Sequence, residues 1–294
     1  VARQQAFVRR KDFSLARKLL RQPWEAGSHA AAALLGSLYY DGRGGPRDYD
    51  EARRILEIGR EGYDGDCLRN LALMLERGHG GPQDVDAALE LYARAARLGQ
   101  SVAARQLAQI YFLGVHDRKD LAKALEFARL GAELEDSECD VILARLLGAG
   151  VGGAARPAEA LLALRRAMKR GYLPAHHLYG VLHLDSKGGV PPNEAKARAA
   201  FEFGAKAGHP PAMIDLARLL VEGRGGPRDV ARAEQLLRRA ARINTRAKRH
   251  LGQRLLEGAF SSANAQEEGR AWLRKAAAAG DAQAKRLLQS LPPK

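Results

Sequence analysis

The side chains best suited to chemistry are three histidines on one predicted helix, His176, His177 and His183. Imidazole is a common ligand of zinc and other transition metals, and a spacing of seven places His176 and His183 roughly on one helical face. No carboxylate or cysteine in the sequence pattern completes a ligand set around them. We therefore expect no metal and no cofactor, and we expect these histidines to pack or to face solvent.

Glycine-rich segments offer a second candidate chemistry, because backbone amides in such loops can cradle phosphate. None of them is a Walker sequence, and none leads from a predicted strand into a helix. No activated serine, Cys-His pair or pair of carboxylates can be placed by motif either. The sequence therefore predicts a protein that is not an enzyme, with glycines that terminate helices.

The string Gly-Arg-Gly-Gly-Pro-Arg-Asp occurs at residues 42–48 and again at residues 223–229. The separation equals five periods of about 36 residues, which is typical of a repeat array. A small residue recurs with this period, and a larger residue follows it four positions later on the same helical face. The small residues are Ala31, Cys67, Ala103, Cys139, Ala175, Ala212 and Ala247, and the larger ones are Leu35, Leu71, Leu107, Leu143, Tyr179, Leu216 and Leu251. This ladder predicts packing between helices.

A second ladder marks the other half of each unit. A side chain able to cap a helix precedes an alanine by four positions at Asp48, Asp84, Asp120, Asn193 and Asp229. Such a cap satisfies free amide donors at a helix start, and the glycines before it end the preceding helix. Each unit is predicted to be helix A, a glycine-rich turn, helix B and a short return. No segment shows sustained strand-like alternation, so the fold class is all-α.

The period leaves no linker that would divide the 294 residues. We predict a single solenoid domain over residues 1–294, with an incomplete repeat at residues 1–29, about seven full repeats at residues 30–280 and a capping helix at residues 281–294. There is no apolar run of the roughly 20 residues needed to span a bilayer. Because the chain begins with Val1, we expect it to be a mature or trimmed form, with any signal peptide or lipid anchor absent from it.

The pattern from Ala31 to Ala52 resembles the Sel1-like repeat, a helical-hairpin relative of the tetratricopeptide repeat. The resemblance covers about residues 30–290 and departs from the family pattern at residues 114–117, 185–189 and 260–262. It implies a right-handed superhelix of antiparallel helix pairs, with a concave surface lined largely by A helices. It also implies an adaptor or assembly factor, which in bacteria is often located in the envelope or secreted.

The two cysteines, Cys67 and Cys139, occupy the same small-residue position two repeats apart. At the usual helix packing distances they lie on the order of 30 Å apart, whereas a disulfide needs Cα atoms within about 7 Å. We therefore expect two buried free thiols in place of alanine. The lack of a pair neither requires nor forbids an oxidising compartment.

Lys and Arg total 48 against 34 for Asp and Glu, a formal net charge of +14. Such an excess favours an acidic protein face, an anionic polysaccharide, a membrane surface or nucleic acid as partner. The sequence has no basic motif interleaved with aromatic residues for stacking bases, which disfavours nucleic acid. The alternative is that arginine-rich B helices are simply solvated outer faces.

The groove is predicted from A-helix positions two, three and six residues after the small index residue, where the chemistry varies. The candidate partner-binding residues are Arg69, Asn70, Arg105, Gln106, Gln109, Arg145, His177, Asp215, Arg218, Arg249, His250 and Gln253. Arginine there suits contact with carboxylates. Apolar residues at other such positions would make the groove partly apolar, a mixture that suits a protein segment. The alternative is a soluble face that binds nothing.

Two functions follow from these features. The first is a non-catalytic scaffold or adaptor that binds a partner segment, acidic in character, in a concave and partly basic groove. The second is a bacterial envelope factor that binds an acidic glycan or assists polysaccharide or cell-wall assembly. The sequence leaves the compartment open, with the periplasm or envelope slightly favoured over the cytoplasm, and it leaves the oligomeric state open.

Overall fold

A computed structural model describes residues 12–62, 64–184, 189–260 and 262–292. Within these ranges the regular structure consists of sixteen α-helices and one short 3-10 turn, with no strand. The helices are α1 (Phe13–Glu25), α2 (His29–Asp41), α3 (Tyr49–Gly59), α4 (Gly65–Arg77), α5 (Val85–Arg97), α6 (Ser101–Leu113), α7 (Leu121–Glu133), α8 (Ser137–Gly148), α9 (Pro157–Lys169), α10 (Leu173–Leu184), α11 (Glu194–Lys206), α12 (Pro210–Glu222), α13 (Val230–Ala241), α14 (Thr245–Leu256), α15 (Ala265–Ala278) and α16 (Ala282–Ser290).

The chain forms two compact units, unit 1 (Val1–Leu146) and unit 2 (Leu147–Lys294), and the boundary falls in the last turn of α8. In unit 1 each of the helices α1 to α7 packs against its neighbour in sequence. The same holds from α9 to α16 in unit 2. From α2 onward the even-numbered helices up to α14 are A helices, and each is followed by its B helix. The organisation into a single domain with an incomplete first repeat and a capping helix stays a prediction.

The ladder of small residues forms the core, as predicted. All seven index residues, from Ala31 to Ala247, are fully buried. In three repeats the residue after the larger ladder position is a glycine that allows helix B to approach helix A closely. At Gly36 an added Cβ would lie 2.7 Å from Leu56 Cγ, and at Gly180 it would lie 2.5 Å from the ring of Phe201. A side chain at either position would therefore force the two helices of the hairpin apart.

The predicted caps and turns are also confirmed. Each of the five predicted capping side chains accepts a hydrogen bond from a backbone amide in the first turn of helix B, as from Glu51 to Asp48 at 2.9 Å. Helices α2, α4, α6 and α12 end at a glycine in the left-handed conformation, which only glycine adopts without strain.

A repeated contact joins the glycine turn of one repeat to helix B of the repeat before it. Three arginines stand directly after the alanine of helix B, and each donates a hydrogen bond to the carbonyl oxygen of a proline 29 residues further on. The pairs are Arg17 with Pro46 at 3.0 Å, Arg53 with Pro82 at 3.0 Å and Arg198 with Pro227 at 2.9 Å. The Gly-Gly-Pro part of the repeated string therefore docks one repeat on the previous one.

The structure shows the backbone conformation of segments that depart from the family pattern. Residues Val115–Asp117 form a 3-10 turn in which His116 has φ +55°. Glu135 has φ +64° at the place where other repeats carry a glycine. Residues 185–188 of the second departure, which falls in the fifth repeat, and Ser261 of the third departure lie outside the described residues. The predicted C-terminal helix is present and ends at Ser290.

Both cysteines are buried free thiols, as predicted. Burial, with the nearby carboxylates of Asp64 and Asp66, raises the pKa of Cys67 to about 12. Burial also raises the pKa of Cys139, with Asp136 adding to the effect. Neither thiol forms thiolate near neutral pH, so both serve packing. In the described part of the chain, no helix combines the length and apolar character needed to cross a membrane.

Candidate partner-binding groove

Five of the predicted groove residues meet at one cavity in unit 2. The cavity has a volume of about 670 Å³ and is lined by side chains of the three A helices α10, α12 and α14. The five residues are His177, Asp215, Arg218, His250 and Gln253. We call this cavity the unit 2 groove. It lies on the A-helix face, where the period of the repeat places the most variable side chains.

The floor of the unit 2 groove is apolar. Ile214 of α12 and Leu237 of α13 belong to the buried core, with 4% and 3% of their surface exposed. Val181, Leu184 and Val221 are partly buried and pack against the same core while they line the groove. The floor therefore leaves aliphatic surface open to a ligand, and covering it would be favourable at about 25 cal/mol per Å².

One wall carries a carboxylate that is already paired within the chain. The imidazole of His177 on α10 lies with Nε2 2.8 Å from Oδ2 of Asp215 on α12, and Arg218 lies 3.5 Å from the other carboxylate oxygen. Burial alone would raise the pKa of Asp215, but the bond to His177 and the nearby arginines hold that pKa below its usual range. Asp215 is therefore ionised near neutral pH and ties two repeats together.

Helix α14 contributes a cation whose hydrogen-bond partner is a neutral ring. Arg246, in the first turn of α14, donates from Nε to Nε2 of His250 at 3.4 Å. Burial, with Arg249 and Arg246 beside it, lowers the pKa of His250 to about 4. The ring is therefore neutral at physiological pH, which leaves Nε2 free to accept this bond. Among the described residues, no carboxylate lies within 4.0 Å of Arg246.

The remaining charges at the rim are paired among themselves. Arg254 contacts Glu257 at 3.0 Å, and Gln253 donates to the same carboxylate at 2.8 Å. Arg224 contacts Glu194 at 2.8 Å and Glu222 at 3.4 Å. The lining as a whole holds four arginines and two carboxylates, so these groups alone give it an excess of two positive charges.

Arg249 is the predicted unit 2 residue that does not line the groove. Its Nε donates to Asp281 at 2.9 Å, and both side chains are nearly buried. Asp281 also caps α16 through the amide of Ala284. Arg249 therefore links α14 to the C-terminal helix in this structure.

In unit 1 three of the six predicted residues, Asn70, Arg105 and Gln109, form contacts between neighbouring repeats. Arg105 lies 3.0 Å from Asp136, and Gln109 donates to Glu138 at 2.6 Å. Arg69 contacts Asp66 at 3.4 Å within its own helix, and the Asn70 amide lies 3.5 Å from the carbonyl oxygen of Ala33. Gln106 is half-buried, and Arg145 is exposed. Two cavities of unit 1, of about 500 and 340 Å³, lie along α3 and are lined by none of these side chains.

The three histidines on α10 each contact a neighbouring side chain or a backbone carbonyl. His176 stacks on Phe203 with ring centroids 4.0 Å apart, His177 bonds Asp215, and His183 lies 3.3 Å from the carbonyl oxygen of Pro191. No group of three or more metal-ligating side chains occurs in the described ranges. Burial lowers the pKa of both His176 and His183, so both rings are neutral near pH 7.

The residues that sequence reasoning missed are the arginines Arg224, Arg246 and Arg254. They lie outside the offsets of two, three and six from the index residue, and they reach the groove because arginine is long. A signal existed in the sequence for two of them. Arg246 and Arg254 flank His250 by four positions on either side, which places all three on one face of α14.

Comparisons with known proteins agree with the helical-hairpin repeats described above. The Sel1 repeat family matches residues 29–61, 65–100, 101–136, 173–209, 210–244 and 245–281. These segments cover more than half of the chain. The predicted fourth repeat lies between the matched segments, where the structure has α8 and α9. No curated protein sequence matches the chain.

Several solved structures share the fold. A protective antigen of uropathogenic Escherichia coli with a Sel1-like repeat fold superposes with a TM-score of 0.79 at 24% identity, over 95% of this chain and 59% of that one. A Sel1 repeat protein from Oxalobacter formigenes gives a TM-score of 0.74 at 25% identity, over 94% and 80% of the two chains. Yeast Tom70 gives 0.52 at 15% identity, over 94% and 56%.

This chain spans about three fifths of the length of the Escherichia coli structure. The likeness to that structure and to Tom70 concerns the fold, because identity is low in both. The family match covers most of the repeats that the period predicts, and the helices alternate as A and B helices throughout the described residues. The chain belongs to the Sel1 repeat family and folds as an α-solenoid.

Proposed function

We propose that this protein is a non-catalytic scaffold that holds a segment of a partner protein in the unit 2 groove. A Sel1-repeat solenoid is a protein-interaction architecture in general, and the proposal adds the place and the character of the contact. The observation that carries it is the combination of an open aliphatic floor with a basic rim in one cavity on the A-helix face. An extended or helical peptide can cover such a floor and place acidic side chains at the rim.

The extent of the groove over three A helices and the contacts of its polar groups support a peptide over a small metabolite. A volume of about 670 Å³ fits several side chains, and the groove is open along its length over three successive A helices. Its polar groups are mostly tied to one another, with His177, Asp215 and Arg218 as one set and Gln253, Arg254 and Glu257 as another. A site that recognises a small polar ligand instead aims several unpaired polar groups at one point.

The net charge of +14 supports an acidic partner. A positive surface raises the rate at which an acidic segment arrives, and salt screens this effect at distances beyond about 10 Å. The predicted residues of unit 1, Arg69, Asn70, Arg105, Gln106, Gln109 and Arg145, remain candidates for a second contact with the same partner. The pairing of Arg105 with Asp136 leaves the exposed Arg145 as the strongest of them.

Site-specific photocrosslinking tests the proposal. A photoreactive amino acid replaces Gln253, which lines the groove on α14, and in a matched control it replaces Gln235, which is exposed on the B helix α13. In a lysate of the source organism, we expect the photoreactive residue in place of Gln253 to crosslink a discrete protein. We expect the one in place of Gln235 to form no crosslink to that protein. Val181→Thr together with Val221→Thr makes the floor polar at almost constant volume, and we expect it to abolish the crosslink.

The alternative of an acidic glycan gives a different result. A glycan partner would yield no protein band from Gln253, and capture of the chain by polysaccharide would be lost at moderate salt without any effect of the Val181 and Val221 changes. Binding to nucleic acid would show a salt slope close to one unit for each phosphate neutralised. Either outcome would contradict the protein scaffold.

A further inference from the structure

The unit 2 groove carries more information on its occupant than its overall charge. Asp215, Glu257, Arg218, Arg224 and Arg254 all have partners of opposite charge within the chain. A ligand that displaced these pairs would break existing bonds to make new ones, with little net gain. Recognition therefore depends on groups that face the groove without such a partner.

Arg246 is such a group. Within the described residues its one hydrogen bond is to the neutral ring of His250, which accepts the Nε proton at 3.4 Å, while Asp215 acts on its charge only through space, from beyond 4.0 Å. This contact fixes the plane of the guanidinium and leaves the Nη1 and Nη2 protons for a ligand. A carboxylate accepts from arginine in this way through charge-assisted hydrogen bonds. A carboxylate in direct contact would compensate the positive charge of Arg246 more fully than Asp215 does from its greater distance.

The apolar floor lies beside this cation in the same cavity. Val181 and Leu184 from α10, Ile214 and Val221 from α12 and Leu237 from α13 line it together with Arg246. A ligand that satisfies both features has a carboxylate and an aliphatic group close together. A polyanion such as nucleic acid or a uronic-acid glycan offers the charge without the aliphatic group, so the floor would stay uncovered.

We infer that the groove binds a protein segment in which an Asp or Glu side chain pairs with Arg246 while a neighbouring Leu, Ile or Val covers the aliphatic floor. This inference rests on the proposed function and names its ligand class. Arg246 is then the residue that selects the acidic position, and His250 is a positioning residue that orients it. Arg246 is exposed and His250 is half-buried, so the guanidinium is accessible to a ligand.

The test begins with a displayed library of random dodecapeptides selected on the intact protein. We expect the enriched peptides to share an Asp or Glu within about four residues of a Leu, Ile or Val. Synthetic peptides from this set are then titrated by fluorescence anisotropy against the native chain, Arg246→Gln and Arg246→Lys. Because a charge-assisted hydrogen bond is worth more than a neutral one, we expect Arg246→Gln to weaken binding roughly tenfold or more and Arg246→Lys to lie between.

Arg242→Gln is the matched control, since Arg242 is an exposed arginine at the end of α13 outside the groove lining. It removes the same charge, and we expect it to change the affinity by less than twofold. Replacing the peptide's Glu by Gln completes a double-mutant cycle. We expect that change to weaken binding to the native chain and to have little further effect on Arg246→Gln.

The outcomes separate the inference from the proposed function. Enriched peptides without an acidic residue would overturn the pairing with Arg246. Additive effects of the two changes in the double-mutant cycle would overturn it as well. Absence of any enriched peptide would overturn the short acidic-aliphatic ligand as well. In either case the crosslink from Gln253 still decides whether a protein occupies the groove. A weakening by Arg242→Gln equal to that by Arg246→Gln would show diffuse attraction and would also overturn the inference.

Discussion

The guanidinium of Arg53 donates from Nη1 to the carbonyl oxygen of Pro82 at 3.0 Å, across the junction between two successive repeats. The aliphatic part of Arg53 is nearly buried, and the same side chain contacts Glu57 within its helix at 2.9 Å. Gly81 has no side chain to obstruct the path, since an added Cβ would lie 2.5 Å from Nη1. The relationship recurs at Arg17 and Arg198, so the Gly-Gly-Pro string and an arginine 29 residues earlier form one structural device.

The Arg53 contact predicts a loss of stability on Arg53→Gln. The shorter side chain cannot reach Pro82, and a hydrogen bond of this kind contributes about 1 kcal/mol to the free energy of unfolding. We expect a loss of that size in urea denaturation, with faster hydrogen exchange at residues 78–84. The control is Arg60→Gln, because Arg60 is exposed at the end of the same helix, and we expect a change within about 0.5 kcal/mol. Equal effects of the two changes would contradict a role for the contact in docking repeats.

We predict a larger loss of stability for Gly80→Ala, at the same junction between two repeats. It has φ +68°, and an added Cβ would lie well inside van der Waals contact of the carbonyl oxygen of Tyr49. Gly99 has φ +89° but nothing within 4 Å of an added Cβ. Both alanine substitutions strain the backbone by about 1 kcal/mol, whereas only Gly80→Ala also displaces helix α3. We expect Gly80→Ala to lower the free energy of unfolding by about 2 kcal/mol more than Gly99→Ala in urea denaturation. Equal losses would show that the turn does not dock on α3.

These contacts also show how far the sequence could predict the structure. The index ladder, the caps such as Asp48 and the glycine turns were predictable, because each depends on residues within one or two helical turns. The bond of His177 to Asp215 in the groove and that of Arg249 to Asp281 outside it were not, because each joins residues more than 30 positions apart. Which of several arginines finds a carboxylate depends on how successive A helices are offset. That offset is set by the packing of the helices, and it cannot be read from the repeat period.

The ion pair of Glu268 predicts a pH dependence of stability in unit 2. Arg238 donates two hydrogen bonds to this carboxylate, one of them at 3.1 Å, and Ser262 and Trp272 donate at 3.0 and 3.3 Å. The bonds from Arg238, against the opposing effect of burial and with help from Ser262 and Trp272, lower the pKa of Glu268 to about 2 from an ordinary 4.5. A lowered folded-state pKa means that the contribution to stability is complete above pH 4.5 and is lost as the pH falls towards 2.

We therefore expect the native chain to lose more stability between pH 6 and pH 3 than the Glu268→Gln variant does. Urea denaturation at the two pH values measures the difference, and Trp272 fluorescence reports on the site directly. Glu126→Gln is the control, since Glu126 is exposed on α7, and we expect it to follow the native chain. A Glu268→Gln variant with the native pH dependence would show that this carboxylate is not selectively stabilised in the fold.

Each cysteine faces a glycine on the preceding B helix, and we predict that the two facing positions are energetically coupled. Cys67 faces Gly59 of the preceding B helix, and Cys139 faces Gly131 in the same way. Where the index residue is alanine, as at Ala103 and Ala175, the facing positions are Ala95 and Ala167. At these four contacts the extra sulfur is balanced by a missing methyl group, although the exchange is not general, because Gly204 faces Ala212. An added Cβ at Gly59 would lie 2.6 Å from the sulfur of Cys67.

A double-mutant cycle tests this exchange. Gly59→Ala alone forces the helices apart and Cys67→Ala alone leaves a void, so we expect each to destabilise unit 1 by about 1 to 3 kcal/mol. The double variant restores the pair found at Ala95 and Ala103, except that Ala32 also lies 2.8 Å from the new methyl group. We therefore expect partial rescue, with the double variant about 1 kcal/mol more stable than the sum of the single changes in urea denaturation. Additive losses within about 0.5 kcal/mol would mean that the two positions adjust independently, and the cysteines would then need another explanation.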